Sequence, residues 1–426
     1  MIKGTMMRRG FAMIASAALA ASALPGVVAA QDDEVVVMHY FDAALGGAGL
    51  QEILADFEAE TGYTVSFVDV GHEDFKTGIL VQLAGSNPPD AHNNWAGART
   101  AFQVENGMLA PIDEMWAENG LDDQFGAGMI ESAVTYDGVK YLLPFGFHIA
   151  PVFYNPKLFT DNGVEIPATW DDLKAACGTF SEAGVLPIAL GAKDGWPAQF
   201  YLDYLLLRTA GAEYRASLMA GEASYTDPEV VRALELWKEL FDDGCFADGA
   251  TVNSMVWSDA ADQVVNGEAA MDLHGSWFMG YVNGNGFEPE VDYDFFEFPV
   301  IDEGVPTAVV GPVDGWVAAA DAANSEAAME MLAYLAKPEA QLAWSKVQGN
   351  IPTNTTSDMS QVDNITKRAA EVAAASETYN FNYDLTTPDA AAVVGLSMFQ
   401  QFIDDQGDIP GLLEKTEAEI AATFEE

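Results

Sequence analysis

The run KYLLPFGFHIAPVFYNP, residues 140–156, decides how this chain is read. Its apolar and aromatic residues suit a strand, yet Pro144 and Pro151 punctuate it, and proline cannot donate to a strand ladder. Such a run fits a segment passing between two lobes better than the middle of one sheet. Toward the N-terminus the pattern alternates. Residues 34–40 (EVVVMHY) form a mostly apolar run, as in a strand buried on both faces. A helix follows with Leu50, Ile53, Leu54 and Phe57 on one face, ended by Thr61-Gly62. YTVSFVDV (63–70) reads as a second strand, and a second helix carrying Phe75, Ile79 and Leu83 stops at Gly85-Ser86-Asn87-Pro88-Pro89. This order predicts a parallel α/β sheet. Beyond the opening run, Thr169 is placed to cap a helix with Asp171 and Asp172 in its first turn. DPEVVRALELWKELFDDG (227–244) is the clearest helix: Asp227 caps, Pro228 opens, Val230, Leu234, Trp237 and Phe241 form a stripe, and Gly244 ends it. FFEFPVI (295–301) reads as a second crossing strand, and residues 325–337 as an amphipathic helix before Pro338.

The first thirty residues stand apart. Lys3, Arg8 and Arg9 precede an apolar stretch from Phe11 to Leu24, Pro25-Gly26 breaks it, and Val28-Ala29-Ala30 supplies small residues for cleavage. These are the parts of a secretory signal peptide ending near Ala30. No cysteine follows that site, so a lipid anchor there is excluded, and the mature chain is expected free in the periplasm. Removing 30 of the 426 residues leaves 396, too many for one ordinary core.

The formal net charge is −48, from 18 Lys+Arg and 66 Asp+Glu. Three of the basic residues and none of the acids lie in the leader, so the mature chain carries 15 against 66, net −51. Nucleic acid and anionic membrane surfaces need the opposite sign and are excluded as partners. The acids are dispersed and half the chain is hydrophobic, so this is not a disordered acidic tail. A solvated acidic surface suited to high salt fits, and an acidic pocket for a cationic ligand is the sharper alternative. Cys177 and Cys245 could pair in an oxidising compartment, but their spacing leaves pairing open.

The chemistry-bearing motifs are mostly missing. The chain has no GxSxG elbow, Walker loop, HExxH or dinucleotide fingerprint. His39, His72, His92, His148 and His274 show no metal-ligand spacing, so neither metal nor cofactor is expected. With 66 acids, a carboxylate pair for glycosidase chemistry could always be proposed, so the count carries no signal. The tryptophans say more. Trp116, Trp170, Trp237 and Trp344 sit in or at the start of helices and read as packing residues. Trp95, Trp196, Trp257, Trp277 and Trp316 lie in segments rich in Gly, Pro, Asn or Asp. Beside them in sequence stand Asn94, Lys193, Asp194, His274 and Asp314. Aromatic faces interleaved with hydrogen-bonding groups suit sugars, which present C–H faces and a rim of hydroxyls.

These segments, in order, are similar to the periplasmic sugar-binding proteins of ABC importers, the extracellular solute-binding family 1 type that includes maltose-binding protein. The resemblance rests on FEAETGYTV (57–65), GVKYLLPFGFHIAPVFYNPKLFTDNGVEIPATWDDL (138–173) and NGEAAMDLHGSW (266–277). It continues through FFEFPVID (295–302), GPVDGWVAAADAANSEAAMEMLAYLAKPEAQ (311–341) and NYDLTTPDAAAVVGLSMFQQFI (382–403). It implies a two-lobed α/β periplasmic-binding-protein fold of type II, with crossing strands as a hinge and ligand in the cleft. The lobes would be 31–146 plus 297–348, and 147–296 plus 349–426. Ligand-binding residues carried over from the matching segments are His39, Phe41, Asp42, Asn94, Trp95, Phe147, His148, Lys193, Asp194, Trp196, Trp257, Trp277, Asp314, Gly315 and Trp316. Trp277 would face the cleft from a strand end, with Gly275 and Ser276 leaving room for a sugar ring. The implied role is capture of a sugar by a monomer and delivery to a membrane permease, without catalysis. A polyamine binder and a secreted glycosidase are the competing readings.

Overall fold

The computed structural model of the protein describes residues 33–42 and 45–424; the leader expected at 1–30 lies outside them. The strands, in chain order, are β1 (Glu34–His39), β2 (Thr64–Asp69), β3 (Ala91–Trp95), the short pair β4 (Thr135–Tyr136) and β5 (Val139–Lys140), and β6 (Leu143–Phe147). They continue with β7 (Val152–Tyr154), β8 (Leu186–Ala189), β9 (Ala269–Leu273), β10 (Asp294–Phe296), β11 (Ala308–Val310), β12 (Val313–Ala318) and β13 (Thr378–Asn380).

One lobe is built on the sheet β2-β1-β3-β12-β6, the other on β10-β7-β9-β8. In the first sheet β1 is parallel to both β2 and β3, as the alternation predicts, and β12 runs antiparallel to β3 and β6. The helix Gly47–Thr61 buries Leu50, Ile53, Leu54 and Phe57 and ends at Gly62, whose φ of 87° suits glycine. Burying those four side chains contributes roughly 1.5–3 kcal/mol each, which fixes the helix on its sheet far more firmly than propensity does. In the second lobe Thr169 and Asp172 form a capping box, and the helix Pro228–Asp242 buries Val230, Ala233, Leu234, Trp237 and Leu240. Phe241 is only partly buried, and the Asp227 carboxylate caps no helix N–H, because it accepts from Ser224 N and Tyr214 Oη instead. Cys177 and Cys245 form a disulfide, which ties the helix Trp170–Ala183 to the segment after Asp242.

Among the described residues the chain passes between the two lobes three times. The first crossing, between β6 and β7, falls where the opening run places it. The expected crossing at 295–301 does not occur: β10 pairs antiparallel with β7, and Phe298 stacks on Tyr204 with ring centres 4.8 Å apart. Ala308 and Val310 share that second-lobe core, so the chain returns to the first lobe only between β11 and β12. The third crossing lies beyond 348. Ile351 packs in the second-lobe cluster with Ile149 and Phe153, Asn354 and Thr355 bond back to Gln124 of the first lobe, and Ile365 rejoins that cluster. Apolar burial, not strand propensity, sets these boundaries.

Candidate functional site

Between the lobes lies a cleft of roughly 600 Å³ of space, open mouth included. Its first-lobe wall is an aromatic and cationic row. Tyr40, just past β1, stacks on Trp95 at the end of β3, with centres 4.8 Å apart and planes 16° apart. His72 meets both rings edge-on, and the Arg99 guanidinium carbon sits 5.5 Å from the Trp95 ring centre. Lys76 is bonded to Glu73 at 2.9 Å. Burial works to raise the Glu73 carboxyl, but its hydrogen bond to His72 and the charge of Lys76 win and hold it at about 2. Burial likewise lowers the His72 imidazole.

The second-lobe wall centres on His274. The Trp277 indole Nε1–H donates to His274 Nε2 at 2.8 Å, Trp257 stacks on the same imidazole 5.2 Å away, and Trp196 approaches at 5.6 Å. Burial pushes His274 down to about 3, so the ring is neutral and its Nε2 stays free to accept. Trp277 opens the helix Trp277–Gly284 rather than ending a strand. A β-carbon on Gly275 would lie 2.0 Å from the Trp277 ring, so this glycine makes room for the indole itself and not for a ligand. Ser276 is likewise engaged, 2.7 Å from His148 Nδ1.

The hinge end of the cleft is closed by a polar chain. Tyr40 Oη donates to Asp314 Oδ1 at 3.2 Å, and His148 Nε2 lies 3.2 Å from Asp314 Oδ2. Burial raises the Tyr40 hydroxyl well above its ordinary value, and the Asp314 charge adds to that, so Tyr40 remains a donor.

Four lining residues carry buried polar atoms without a partner: Trp196 Nε1, Gln199 Nε2, Gln348 Oε1 and Asn382 Oδ1. Two of the orientations are fixed by neighbours. Gln199 Oε1 accepts from Asp384 N at 2.9 Å, and Asn382 Nδ2 donates to Asp384 Oδ1 at 3.0 Å. Gln199 therefore turns a donor outward and Asn382 an acceptor. A buried unpaired polar group costs about 1–3 kcal/mol, so four in one cleft call for an occupant that both donates and accepts.

Of the fifteen residues singled out from sequence, the structure brings Trp95, Trp196, Trp257, Trp277 and Asp314 to the cleft lining. The other ten do not line it. Trp316 is 1% exposed and packs with Phe41 and Phe145 in the first-lobe core, because it sits two residues farther into β12 than Asp314, on the same face but under the core instead of at the cleft. Gly315 sits against Leu142 and Leu143, and Phe147 packs edge-on to Tyr379. His39 pairs with Asp69 at 2.9 Å, and the Asp42 carboxylate accepts from Leu45 N. Asn94 joins a buried network with Thr100 and Gln103. His148 acts through Asp314 and Ser276; Lys193 and Asp194 stand outside the lining. Tyr40 falls inside the post-strand segment 39–42 that the resemblance singles out, whereas His72, Lys76, Arg99, Gln199, Gln348, Asn382 and Asp384 are not reached from the sequence. Asn382 and Asp384 open a segment already matched by resemblance, while Gln199 and Gln348 carry no local mark.

Among the described residues no helix is long and apolar enough to cross a membrane, and no cluster of His, Cys, Asp and Glu could hold a metal. Known proteins agree with the geometry. An ABC transporter extracellular-binding protein of Pyrococcus horikoshii is 32% identical over 301 residues, which span 70% of this chain and 65% of that one, just under two thirds of its length. The xylose/arabinose-binding protein XacG of Haloferax volcanii is 24% identical over 358 residues, covering 82% and 75% of the two chains. The solved structure of the bacterial solute receptor AcbH, described as having an exclusive preference for β-D-galactopyranose, is 26% identical. It superposes with a TM-score of 0.86 over 92% of this chain and 100% of that one. The model of the bacterial extracellular solute-binding protein family matches residues 43–342, and the chain belongs to that family.

Proposed function

We propose that this protein captures a sugar in the interlobe cleft and delivers it to the permease of an ABC importer, without chemical turnover. The observation that carries the reading is the set of four buried, unpartnered atoms, two donors and two acceptors, in a cleft walled by tryptophans. Sugar hydroxyls satisfy both kinds of atom, and the C–H faces of the ring suit the indoles. Relatives named for xylose/arabinose and β-D-galactopyranose support the same class. Closure becomes favourable because a bound sugar touches both lobes at once.

A polyamine fits less well, because Lys76 and Arg99 line the cleft despite the chain's 66 acids. For a glycosidase, the Asp314 carboxylate is already engaged by Tyr40 and His148. Thermal unfolding with monosaccharides, disaccharides, sugar acids and polyamines tests the reading. A ligand at 100 times its dissociation constant stabilises the native state by about 2.7 kcal/mol. A shift with a sugar and none with polyamines is expected. Shifts with polyamines alone would remove the sugar, and turnover of a chromogenic glycoside would make the protein an enzyme.

A further inference from the structure

The lobes do not merely face each other across the cleft; lining residues are themselves where the lobes meet. His72 of the first lobe touches Trp196 of the second, with ring centres 5.9 Å apart. Beside Trp95, Gly97 lies so close to the second-lobe turn that a β-carbon there would be 2.1 Å from the Leu385 carbonyl oxygen. Gly280, on the helix that Trp277 opens, approaches Gln348 so closely that its β-carbon would fall 2.6 Å from the Gln348 carbonyl carbon. The hinge end is shut by Tyr40, Asp314, His148 and Ser276. His72, Trp196, Leu385 and Gln348 all line the cleft. A second sugar ring attached to the bound one would have to displace one of these contacts.

Building on the sugar reading, we propose that the ligand is a monosaccharide, enclosed whole, and that the His72–Trp196 contact is the barrier that excludes longer chains. Both residues are large and their rings meet between the lobes, whereas the other contacts are backbone approaches or a hydrogen-bonded hinge. Size selection of this kind works by steric exclusion of the competitor, not by extra attraction for the ligand.

The test is calorimetry on the purified protein with glucose, galactose, xylose and arabinose against maltose, cellobiose, lactose and xylobiose. At least one monosaccharide should bind about ten-fold or more tighter than any disaccharide containing it. The variant Trp196→Ala should narrow or reverse that preference by admitting the disaccharide. A wild-type protein that binds a disaccharide as tightly as its monosaccharide overturns the proposal while leaving the sugar reading intact. So does an unchanged preference in a Trp196→Ala protein that still binds the monosaccharide. Binding of no sugar in either group removes the sugar reading and this inference with it. If Trp196→Ala does not fold, or folds but binds no sugar because the Trp196 Nε1 donor is gone, His72→Ala opens the same contact from the other lobe and takes its place.

Discussion

On the first-lobe wall the groups pair among themselves: Tyr40 with Trp95, Lys76 with Glu73, Arg99 above the Trp95 ring. On the second-lobe wall three side chains, Trp196, Gln199 and Asn382, leave buried polar atoms open. Their supports differ as well. Glu73 is 44% exposed, so its pair with Lys76 is a surface bond. Behind the second-lobe wall Asp203 and Arg215 are buried at 0% and 2% exposure, and they hold the ligand-side turn by its backbone. Arg215 Nη2 donates to Phe381 O, and Asp203 Oδ2 accepts from Tyr383 N, which places Asn382 and Asp384. The first-lobe wall leaves one buried polar atom open, Gln348 Oε1. The second-lobe wall leaves three and rests on a buried scaffold, so it should receive the sugar first.

The comparison can be broken at its foundation. Asp203→Leu strands the Arg215 charge in the core and should cost about 3–5 kcal/mol of stability, read by urea denaturation. A loss under 1 kcal/mol would mean the turn holds itself. Asp203 also supplies a pH signature, because burial raises its carboxyl to about 6 despite the opposing pull of Arg215. The folded state therefore keeps this proton after the unfolded chain has lost it, so its contribution to stability falls as pH rises from about 4 to about 6. Melting across that window should show the decline in the wild type and a flatter profile in Asp203→Asn. Next in size is the disulfide, which closes a 68-residue separation within the second lobe. Replacing both cysteines with alanine should cost about 2–4 kcal/mol, and an unchanged melting temperature would show that packing alone holds the scaffold.

Smaller effects sharpen the contrast between the walls. Asn382→Leu should weaken sugar binding about ten-fold or more by removing an acceptor, roughly 1.4 kcal/mol. Lys76→Gln, on the opposite wall, should change affinity by no more than about five-fold, the size of an exposed pair. Calorimetry that ranks these two in reverse would show that the first lobe carries recognition. Smallest of all, Glu73→Gln should shift stability by less than about 1 kcal/mol.

The sequence makes the fold largely legible because burial leaves periodic marks. The apolar run at 34–40, the helix stripe through Leu50 and Phe57, and the proline-punctuated crossing at 140–156 all correspond to observed elements. FFEFPVI misleads because a strand bound for the hinge and a strand at a sheet edge have the same composition, and only the second lobe's core decides. The site is less legible. Loop tryptophans with small neighbours point to the cleft four times in five, but Trp316 shares that look and lies deeper along β12, under the first-lobe core. Gln199 acts through the end of its amide that Asp384, 185 residues away, leaves unbonded, a property that no local spacing records.

The place of β12 has a consequence for synthesis. It fills the gap between β3 and β6, so the first sheet lacks an inner strand until residue 318 has been made. A nascent chain carrying everything from β1 through β11 still cannot finish its N-terminal half. Loop closure over more than two hundred residues must precede that pairing, and such topologies fold slowly. The first lobe therefore stays open for most of the chain's translation, while the four strands of the second sheet are already made, and it closes only when its late strand arrives.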